Sequence, residues 1–432
     1  MSESRFARVG ATPSAIFLNR FYWPDVAATG QMLTDLAEDL AAAGWRVTVV
    51  TGAGDYDASI AAPPASRDEV RNGVRIIRVR GTRFGRHRII GRLLDYATYF
   101  VGALLRVLAL RTTDLVVAMS DPPFAVAIAV LAAKLKGARS VYWVQDLFPQ
   151  IAARLGVMDE RTMAYRAIDL LARAFNRRCD RVIALGPRMA RAVVAAGAQP
   201  ARTVVAHNWA DAAAVVPVPC SDNPFIRAHG LADKFVVLYS GNAGRAHTFD
   251  AVLDAARALR GDDDVVFLFV GGGKRIAELR AAAARDALGN VRFLDYVPRG
   301  ELSFSLSAAD VSLVTEDPAV EGLLVPSKTY GILASGRPVL FVGSPTTDAA
   351  RIIADADCGV VTAPDDAPAL VRAIRALRDD PARREQLGAN ARRAAECTYD
   401  RPLATARWAT AALATTESAM SERSLQLNEV PT

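Results

Sequence analysis

The chain has 432 residues, a length that favours two domains over one. A hydrophobic content of 51% supplies packed cores and excludes a disordered chain. The net charge of +6 is a modest basic excess, which suits an anionic partner without identifying one. The four cysteines and four histidines are scattered along the chain, which argues against a disulfide framework and against a dedicated metal site.

The first residues are polar and lack the apolar core of a signal peptide, so we expect no export. The longest apolar runs, 96–110 and 124–135, fall short of the ~20 residues that span a bilayer. We therefore expect a cytoplasmic protein without a membrane-spanning helix.

Short apolar runs alternate with longer amphipathic segments in the first half of the chain. The pattern predicts strands at 15–18, 47–51, 74–79, 115–119, 140–144, 182–185 and 203–206. It predicts helices at 30–43, 91–110, 125–136, 163–178 and 189–196. Buried strands that alternate with helices are typical of a parallel, doubly wound sheet.

A polar, proline-marked linker at 212–232 precedes a second alternating set. That set predicts strands at 236–240, 265–270, 291–293, 309–314 and 339–342, and helices at 249–259, 276–287, 328–334 and 367–377. We therefore predict an α/β protein with two Rossmann-like domains, 1–211 and 233–399, facing a central cleft. A helix at about 400–420 is expected to pack back on the first domain, and 421–432 to form a loose tail. Ligands of such sheets bind outside the carboxyl ends of the strands.

Two polar loops follow predicted strands of the first domain. Trp23 and Asp25 precede a helix that begins near Gly30, whose missing side chain permits a close approach to a phosphate or a sugar. Gln145 and Asp146 end a later buried strand and are expected to face the cleft. The alternatives are a tight strand–helix turn at Gly30 and a capping role for Asp146.

Two glycine-containing loops follow strands of the second domain. The strand 236–240 runs into Ser-Gly-Asn-Ala-Gly and Arg245, which could form a small anion cradle with its own cation. The strand 265–270 runs into three glycines, which permit close approach of a flat or charged ligand. Each signal is weak alone, and Arg245 could equally be a solvated surface cation.

The stretch 321–340 carries the strongest signal. Glu321 precedes a glycine loop, Pro326 predicts the start of a helix, and Lys328 lies in its first turn. A cation there opposes the helix dipole, so an anionic ligand beside Lys328 would explain its position. A surface lysine is the alternative. The acidic run 262–264 lies at the amino end of a strand, where we expect a solvated turn and no metal.

Taken in order, these segments resemble the family-4 retaining glycosyltransferases, which have the two-domain GT-B fold. The segments VQDLFP at 144–149 and HNWAD at 207–211 resemble the branch that builds bacterial exopolysaccharide, capsule and O-antigen, including colanic-acid-type and N-acetylfucosamine-type transferases. The region 290–311, followed by 321–328, is similar to the donor-binding half of the family.

The sequence departs from the family at three positions. Gly331 stands where relatives carry a second glutamate, which typically holds the ribose hydroxyls of the donor. Asn242 stands where an arginine is expected, which leaves Arg245 as the nearest cation. Gln145 stands where many members have histidine, and glutamine cannot act as a general base near neutral pH.

The resemblance implies metal-independent, retaining transfer of a hexose-type sugar from a nucleotide-diphosphate sugar, with UDP as the expected nucleotide and no cofactor. It implies a lipid-linked or oligosaccharide acceptor in bacterial surface polysaccharide synthesis. The implied catalytic residues are Glu321, Asp146, Arg245 and Lys328. The implied donor-binding residues are Gly30, Gly241, Asn242, Gly244, Gly272, Tyr296, Val297, Gly322, Leu324, Val325 and Ser327. Gln145, Trp23 and Asp25 are assigned to the acceptor side.

Arginines crowd the region 67–92 and lead into an apolar segment at 93–108. Basic residues beside an apolar helix suit an anionic membrane surface, at ~1 kcal/mol per basic residue near it. We therefore expect a peripheral location on the inner face of the cell membrane and a polyprenyl-diphosphate-linked acceptor. A solvated basic surface over an ordinary core is the alternative. Nucleic acid is not expected as a partner, because no aromatic stacking platform accompanies the arginines.

Two other functions stay open at this point. The glycine at 331 would suit a nucleotide-sugar-binding subunit without turnover. A sugar-nucleotide 2-epimerase shares the two-domain architecture, but it would need acid–base carboxylates and histidines around the sugar, and this chain offers few.

Overall fold

The computed structural model describes residues 12–25, 27–53, 66–79, 82 and 89–414, without the side chains of 89, 90 and 92–96. The chain divides into two compact units. The first takes the residues up to Ala153, Met158–His207 and the residues from Thr405 onward, and the second takes Arg154–Val157 and Asn208–Ala404. The expected tail at 421–432 lies outside the described residues.

The first unit is built on one sheet. Its strands are β1 (Ser14–Leu18), β2 (Arg46–Gly52), β3 (Asp68–Arg71), β4 (Val74–Val79), β5 (Leu115–Met119), β6 (Arg139–Trp143), β7 (Arg181–Ala184) and β8 (Thr203–Val205). They lie in the order β3-β4-β2-β1-β5-β6-β7-β8, and only the β3–β4 pair among them is antiparallel. Every residue of β1 and β5 is buried, as expected for central strands covered on both faces.

Helices connect these strands. They are α1 (Ala28–Ala42), α2 (Ile89–Ala109), α3 (Ala125–Lys136), α4 (Gln150–Arg154), α5 (Met163–Arg178) and α6 (Pro187–Ala195). Helix α3 packs against both α2 and α5. Alanines fill its buried side, including Ala129, Ala132 and Ala133, and such small side chains let the helix approach the sheet closely.

The second unit is built on a parallel sheet. Its strands are β9 (Phe235–Ser240), β10 (Val265–Val270), β11 (Val291–Leu294), β12 (Val311–Thr315), β13 (Val339–Val342) and β14 (Gly359–Thr362). They lie in the order β11-β10-β9-β12-β13-β14. The strand order reverses between β9 and β12, so the carboxyl ends of these two strands mark the point where ligands of such sheets bind.

The remaining helices belong mainly to the second unit. They are α7 (Pro224–Ala228), α8 (Asp250–Ala258), α9 (Ile276–Arg285), α10 (Leu302–Ser307), α11 (Lys328–Ala334), α12 (Asp348–Asp355), α13 (Ala367–Asp379), α14 (Pro381–Ala394) and α15 (Arg401–Leu413). Apolar residues cover both faces of the sheet, with Tyr239, Phe267 and Phe269 on one face and Val236 and Leu238 on the other. The two helix-covered parallel sheets confirm the predicted α/β class.

The last helix, α15, packs on the first sheet. Trp408 is fully buried, and its ring centroid lies 5.6 Å from that of Phe17 and 5.5 Å from that of Trp143. Both partners lie on strands of the first unit, β1 and β6. The aromatic contacts therefore explain why the residues from Thr405 onward cluster with that unit.

The segment 212–232, which we expected to be a linker, is packed into the second unit. It forms α7, and Phe225 and Ile226 are buried in the same cluster as Val236 and Leu238. Asn223 caps this helix through its side chain, which accepts a hydrogen bond from the Phe225 N–H at 3.0 Å.

Candidate functional site

The loops that follow β9 and β10 are fitted tightly to each other. The Ala243 N–H donates to the Gly272 carbonyl at 2.7 Å. A Cβ at Gly271 would lie 2.4 Å from the Gly241 oxygen, and one at Gly273 would lie 2.5 Å from the Ala243 oxygen. Only glycine permits this approach, so the glycine run holds the two loops together. The Ala243 N–H is consequently occupied by the protein.

Tyr296 lies against this glycine run. A Cβ at Gly272 would lie 2.8 Å from the Tyr296 ring, and the tyrosine is 48% exposed. The next residue, Val297, is partly buried against the core of the sheet. Main chain therefore lies against the ring, and about half of the side chain is exposed, which leaves aromatic surface for a flat ligand.

Lys328 is the most unusual cation of the second unit. Its Nζ lies 3.6 Å from the centroid of the Tyr239 ring and is buried without a hydrogen-bond partner among the described residues. Its Cε lies 3.9 Å from where a Cβ of Gly241 would be. Burial lowers the pKa of Lys328 well below its ordinary value. An ammonium group with unused donors, placed at the end of β9, is suited to an anion.

The helix that begins at Lys328 is short. Helix α11 has seven residues, and neither Ser327 at its N-cap nor any other side chain caps it. A short helix supplies little dipole, so the cation–π contact with Tyr239 accounts better for the position of Lys328 than the helix end does. Upstream, Gly322 has φ of 73°, and Leu323 and Val325 are buried.

His247 and Arg245 follow on the loop after β9. His247 Nδ1 lies 2.5 Å from the Thr315 carbonyl oxygen; because a carbonyl only accepts, Nδ1 carries the proton. Burial, and then the charge of Lys328, lower the pKa of His247 to about 3, so the ring is neutral. Arg245 is exposed. Arg275 joins this group and donates to the His247 carbonyl at 3.3 Å.

Two carboxyl groups lie at the carboxyl end of β12. The Thr346 hydroxyl donates to Glu321 Oε1 at 2.5 Å. Glu316, the residue directly after β12, is 1% exposed, and neither of its carboxyl oxygens has a hydrogen-bond partner among the described residues. Burial, and then the negative charges of Asp348 and Glu321, raise the pKa of Glu316 to about 8.

The acidic run at 262–264 lies at the opposite end of the sheet. Asp262 precedes β10 and pairs with Arg375 and Arg378, each at 3.2 Å. In the described parts of the chain, no three His, Cys, Asp or Glu side chains come together in a way that could hold a metal ion. The run therefore serves as a salt-bridged turn.

In the first unit, Ser120 fixes the loop after β6. Its hydroxyl accepts from the Gln145 N–H at 2.7 Å and from the Asp146 N–H at 3.1 Å. Gln145 is buried, whereas Asp146 is exposed. Desolvation by the surrounding protein raises the pKa of Asp146 above its ordinary value, although the residue itself is exposed.

The other candidates of the first unit have local structural roles. Asp25 Oδ1 accepts from a backbone N–H two residues on at 2.9 Å, just before α1. The Arg71 guanidinium lies 4.5 Å from the Trp23 ring centroid. A Cβ at Gly30 would lie 3.2 Å from the Phe21 carbonyl carbon. Local hydrogen bonding and packing thus account for Asp25, Trp23 and Gly30 without a ligand.

Two arginines of the basic run 67–92 pair with acidic residues of the same sheet. Arg75 pairs with Asp68 at 2.9 Å, and Arg78 is buried beside Glu69 at 2.5 Å. These two arginines are therefore structural. Outside the described residues lie Arg80, Arg83, Arg86 and Arg88, together with the side chain of Arg92.

Two family models match consecutive parts of the chain. A glycosyl transferase 4-like domain matches residues 28–209, and the glycosyl transferases group 1 model matches residues 222–394. Together they include both sheets and the loops described above. The chain belongs to the glycosyltransferases that these two models together describe. The resemblance seen in the sequence is thereby confirmed.

The glycosyltransferase is similar to two bacterial relatives with provisional names. It is 30% identical to WbjE of Pseudomonas aeruginosa over 264 residues, which are 61% of this chain and 66% of WbjE. It is 26% identical over 372 residues to WcaI of Escherichia coli K12, named for colanic acid biosynthesis, across 82% of this chain and 89% of WcaI. The match to WbjE thus spans just under two thirds of that relative.

Solved structures show the same architecture. The structure of HepE from Anabaena with UDP and glucose has a TM-score of 0.70 at 18% identity, and it covers 92% of this glycosyltransferase and 98% of HepE. At that identity the likeness concerns the fold. The predicted GT-B fold is confirmed.

The glycine at 331 has no packing reason in this glycosyltransferase. It lies inside α11, where a Cβ would meet only the Leu306 side chain, at an ordinary 3.8 Å. Glycine inside a helix costs roughly 0.5–1 kcal/mol relative to alanine. A Cβ atom would fit at this position, so packing around the Cβ does not require glycine here.

Several site residues escaped the sequence reasoning. Ser120 and Glu316 are the first residues after β5 and β12, so the rule that polar residues at strand ends face ligands could have found both. Tyr239 lies inside a buried strand, and its contact with Lys328 has no sequence signature. Thr346 meets Glu321 across 25 residues of sequence.

Proposed function

We propose that this glycosyltransferase transfers a sugar, with retention, from a UDP-sugar to a polyprenyl-diphosphate-linked acceptor in bacterial surface polysaccharide synthesis. The buried Nζ of Lys328 at the end of β9, which has no hydrogen-bond partner in the part of the chain that the structure describes, carries the proposal. The name of WcaI, which refers to colanic acid, supports the polysaccharide. The UDP and glucose bound by HepE support the donor.

The diphosphate of the donor would bind beside Lys328. A buried ammonium gains about 1.5–3 kcal/mol from one hydrogen bond to a charged acceptor, which compensates for its burial. Arg245, exposed on the neighbouring loop, would supply a second cation. The glycines at 241 and 244 leave room for phosphate oxygens between these two groups.

The base and the sugar would lie on either side of the diphosphate. Tyr296, which packs against Gly272 and is 48% exposed, offers aromatic surface on which a nucleobase can stack. Glu321 would accept hydrogen bonds from hydroxyls of the donor sugar, because the Thr346 hydroxyl already holds this carboxyl group in one orientation. The residues that follow Glu321 on the same loop would line the donor site: Gly322, Leu324, Val325 and Ser327.

The chemical step follows from these positions. As the bond between the anomeric carbon and the phosphate oxygen breaks, negative charge grows on the leaving diphosphate, and Lys328 and Arg245 stabilise it. The acceptor hydroxyl attacks the same face of the sugar and gives its proton to the leaving phosphate oxygen. Retention results. Because two side-chain cations provide positive charge at the diphosphate, we propose that turnover is independent of metal ions.

The first unit would supply the acceptor side. Gln145 and Asp146 are held in a fixed turn by Ser120 at the carboxyl end of β6. Glutamine cannot exchange a proton near neutral pH, whereas the raised pKa of Asp146 brings this carboxyl group closer to neutrality. We assign Gln145 and Asp146 to the sugar and acceptor side. Trp23 and Asp25, on the loop between β1 and α1, are assigned to the acceptor.

Membrane association is part of the proposal, and one face of the first unit supports it. Helix α3 packs against both α2 and α5, and all three helices carry apolar side chains that are 36–71% exposed: Val101, Leu105, Leu108, Leu131, Leu135, Leu170 and Leu171. We call this set the exposed apolar face. The Lys136 ammonium donates to the Leu108 carbonyl at 3.2 Å and so ties the end of α3 to α2. Exposed apolar patches of this kind are uncommon on free surfaces.

Charge favours an anionic lipid surface for this face. Arg106, Lys134 and Arg166 are exposed on the same helices. Helix α3 has no acidic residue, and the one acid of α5, Asp169, pairs with Arg173 at 2.6 Å. No helix in the described parts of the chain is long and apolar enough to cross a membrane. We therefore propose that the protein binds the surface peripherally.

Vesicle flotation tests this surface. We expect wild type to float with phosphatidylglycerol vesicles and the double variant L105S/L135S to float several-fold less. Val70 is 73% exposed on β3, outside the exposed apolar face, so V70S is the matched control and should behave as wild type. Equal flotation of all three proteins would contradict the assignment.

Kinetics test the function. We expect Glu321→Ala and Arg245→Ala, with folding verified by circular dichroism, to lower transfer of labelled sugar from a UDP-sugar by at least tenfold. Arg260, exposed beyond α8, provides the control R260A. Wild-type turnover in both variants would refute the assignment. NMR of the product reports retention, and assays with EDTA report metal independence.

The same assay separates the rival functions. Donor binding without hydrolysis or transfer, with every tested acceptor, would indicate a non-catalytic subunit, for which the glycine at 331 is the specific observation. Release of a 2-epimeric sugar would indicate an epimerase.

A further inference from the structure

Glu316 is a buried acid that the proposed chemistry does not yet use. It is 1% exposed at the carboxyl end of β12, one of the two strands where the sheet order reverses. Its backbone is fixed: the Glu316 N–H donates to the Val342 carbonyl at 3.0 Å, and the next N–H donates to the Ala246 carbonyl at 2.9 Å. Neither carboxyl oxygen has a hydrogen-bond partner among the described residues.

The surroundings of Glu316 require it to be uncharged. The charged groups that act on it are both acidic: Asp348 at the start of α12, and Glu321 on the loop that follows β12. A buried carboxylate without a hydrogen bond and beside two negative charges is strongly disfavoured. Glu316 therefore holds a proton in the folded protein near neutral pH.

A short folded segment connects Glu316 to Glu321. Asp317 Oδ1 accepts from the Ala319 N–H at 2.9 Å, and the Glu321 N–H donates to the Pro318 carbonyl at 3.3 Å. The segment therefore turns back, which brings the charge of Glu321 within range of the Glu316 side chain. Thr346 then holds the Glu321 carboxyl group from the β13 side.

We propose that Glu316 is a positioning residue for Glu321: as an uncharged acid beneath the loop, it lets Glu321 stay at Thr346, in place to receive the hydroxyls of the donor sugar. The inference rests on the proposed function. Ionisation of Glu316 adds a third negative charge to the group and repels both Glu321 and the anionic donor. Donor-sugar recognition then depends on this proton.

The inference distinguishes the sugar from the nucleotide. Glu316 acts through Glu321, which is assigned to sugar hydroxyls, whereas Lys328 and Arg245 are assigned to the diphosphate. A free nucleotide lacks the sugar. Its binding therefore reports any general effect of charge or folding, and the difference between the two ligands reports the action on Glu321.

Isothermal titration with UDP-glucose and with UDP, from pH 6.5 to 9.5, tests the proposal. Both ligands share the diphosphate contact with Lys328, so any loss of affinity at alkaline pH that comes from this lysine is common to them. Above about pH 8, we expect wild type to lose up to about tenfold more affinity per pH unit for UDP-glucose than for UDP. Glu316→Gln keeps the size and the uncharged state but cannot ionise. We expect E316Q to bind UDP-glucose as wild type does at pH 7 and, up to pH 9, to lose no more affinity for UDP-glucose than for UDP.

Controls keep the outcomes separate. Ser312 lies on the same strand, and its buried hydroxyl has no hydrogen-bond partner within the described ranges. S312A therefore tests a generic change in β12 and should show the wild-type pH profile. If E321A retains wild-type affinity for UDP-glucose, the proposed sugar assignment fails. If E321A weakens binding but E316Q keeps the wild-type pH profile, only the role of Glu316 is overturned.

Two further results would overturn the inference. One is a wild-type affinity for UDP-glucose that stays constant up to pH 9.5. The other is an equal alkaline loss for UDP and UDP-glucose. The first result needs no variant, so the proposal stays open to refutation even if E316Q does not fold, and E316M provides a second uncharged replacement in that event.

Discussion

Replacing Lys328 with methionine should stabilise the protein without ligand and weaken nucleotide binding. The buried ammonium has no hydrogen-bond partner among the described residues, which costs about 1–3 kcal/mol or more for a charged group. The contact with the Tyr239 ring at 3.6 Å returns roughly 0.5–2 kcal/mol. Methionine keeps the apolar contact with the ring. We therefore expect the free energy of unfolding of K328M at pH 7 to be about 1 kcal/mol higher than that of wild type.

The sign of the pH dependence can be derived. The pKa of Lys328 is lowered in the folded state, so below pH 10.5 the unfolded chain binds more protons than the folded one. Wild-type stability therefore rises with pH towards 10.5 relative to K328M, by about 1.4 kcal/mol for each unit by which the pKa is lowered. The advantage of K328M should shrink as the pH rises.

Nucleotide binding should change in the opposite direction. Loss of one charge-assisted hydrogen bond of about 1.5–3 kcal/mol weakens UDP binding about 10- to 100-fold. At pH 8, above the phosphate pKa of about 6, UDP binding to wild type should also take up protons, because an anion beside Lys328 favours its charged form. Urea unfolding and titration calorimetry in two buffers measure these effects. A destabilised K328M that binds UDP as wild type does would refute the reasoning.

Two further variants test packing at the site and far from it. In G272A, the new Cβ would lie 2.8 Å from the Tyr296 ring, so the ring must move and UDP affinity should fall several-fold. G289A is the control: apart from its chain neighbours, the new Cβ would meet no described atom within 4 Å, so this variant should bind UDP as wild type does. In W408A, loss of a fully buried ring on the first sheet should lower the free energy of unfolding by about 3–5 kcal/mol. L403A on the same helix removes a side chain that is 41% exposed and should cost well under about 1 kcal/mol. Calorimetry and urea unfolding measure these outcomes.

The fold follows from the sequence where strands are apolar and helices are long. The helices 125–136 and 163–178 and the strand 265–270 have the bounds that the pattern predicts. Strand β3 escaped prediction because its Asp-Glu-Val-Arg sequence is polar at an antiparallel edge. Strand β14 was missed because its residues are only partly buried, which weakens the apolar signal.

The site follows from the sequence only in part. The rule that ligands bind at the carboxyl ends of strands points to the loops after β9, β10 and β12, which carry the candidate site. It does not show how a lysine is oriented, and the contact of Lys328 with Tyr239 depends on a strand and a helix, β9 and α11, that meet only in the folded unit. Nor could it show that a glycine run serves to fit two loops together, since that depends on distances between main-chain atoms.

Glu316 provides a last quantitative test, in the stability of the protein without ligand. Its pKa rises from 4.5 to about 8 on folding, so between these values the folded state binds more protons than the unfolded state. Stability is therefore lost as the pH rises through this window, at up to about 1.4 kcal/mol per pH unit. E316Q cannot ionise and escapes the loss, whereas the other carboxyl groups act equally in both proteins. Urea unfolding at pH 5, 6.5 and 8 should show E316Q gaining on wild type by several kcal/mol overall. A constant difference across these pH values would mean that Glu316 already has its charge and a partner, and the argument for its proton would fall.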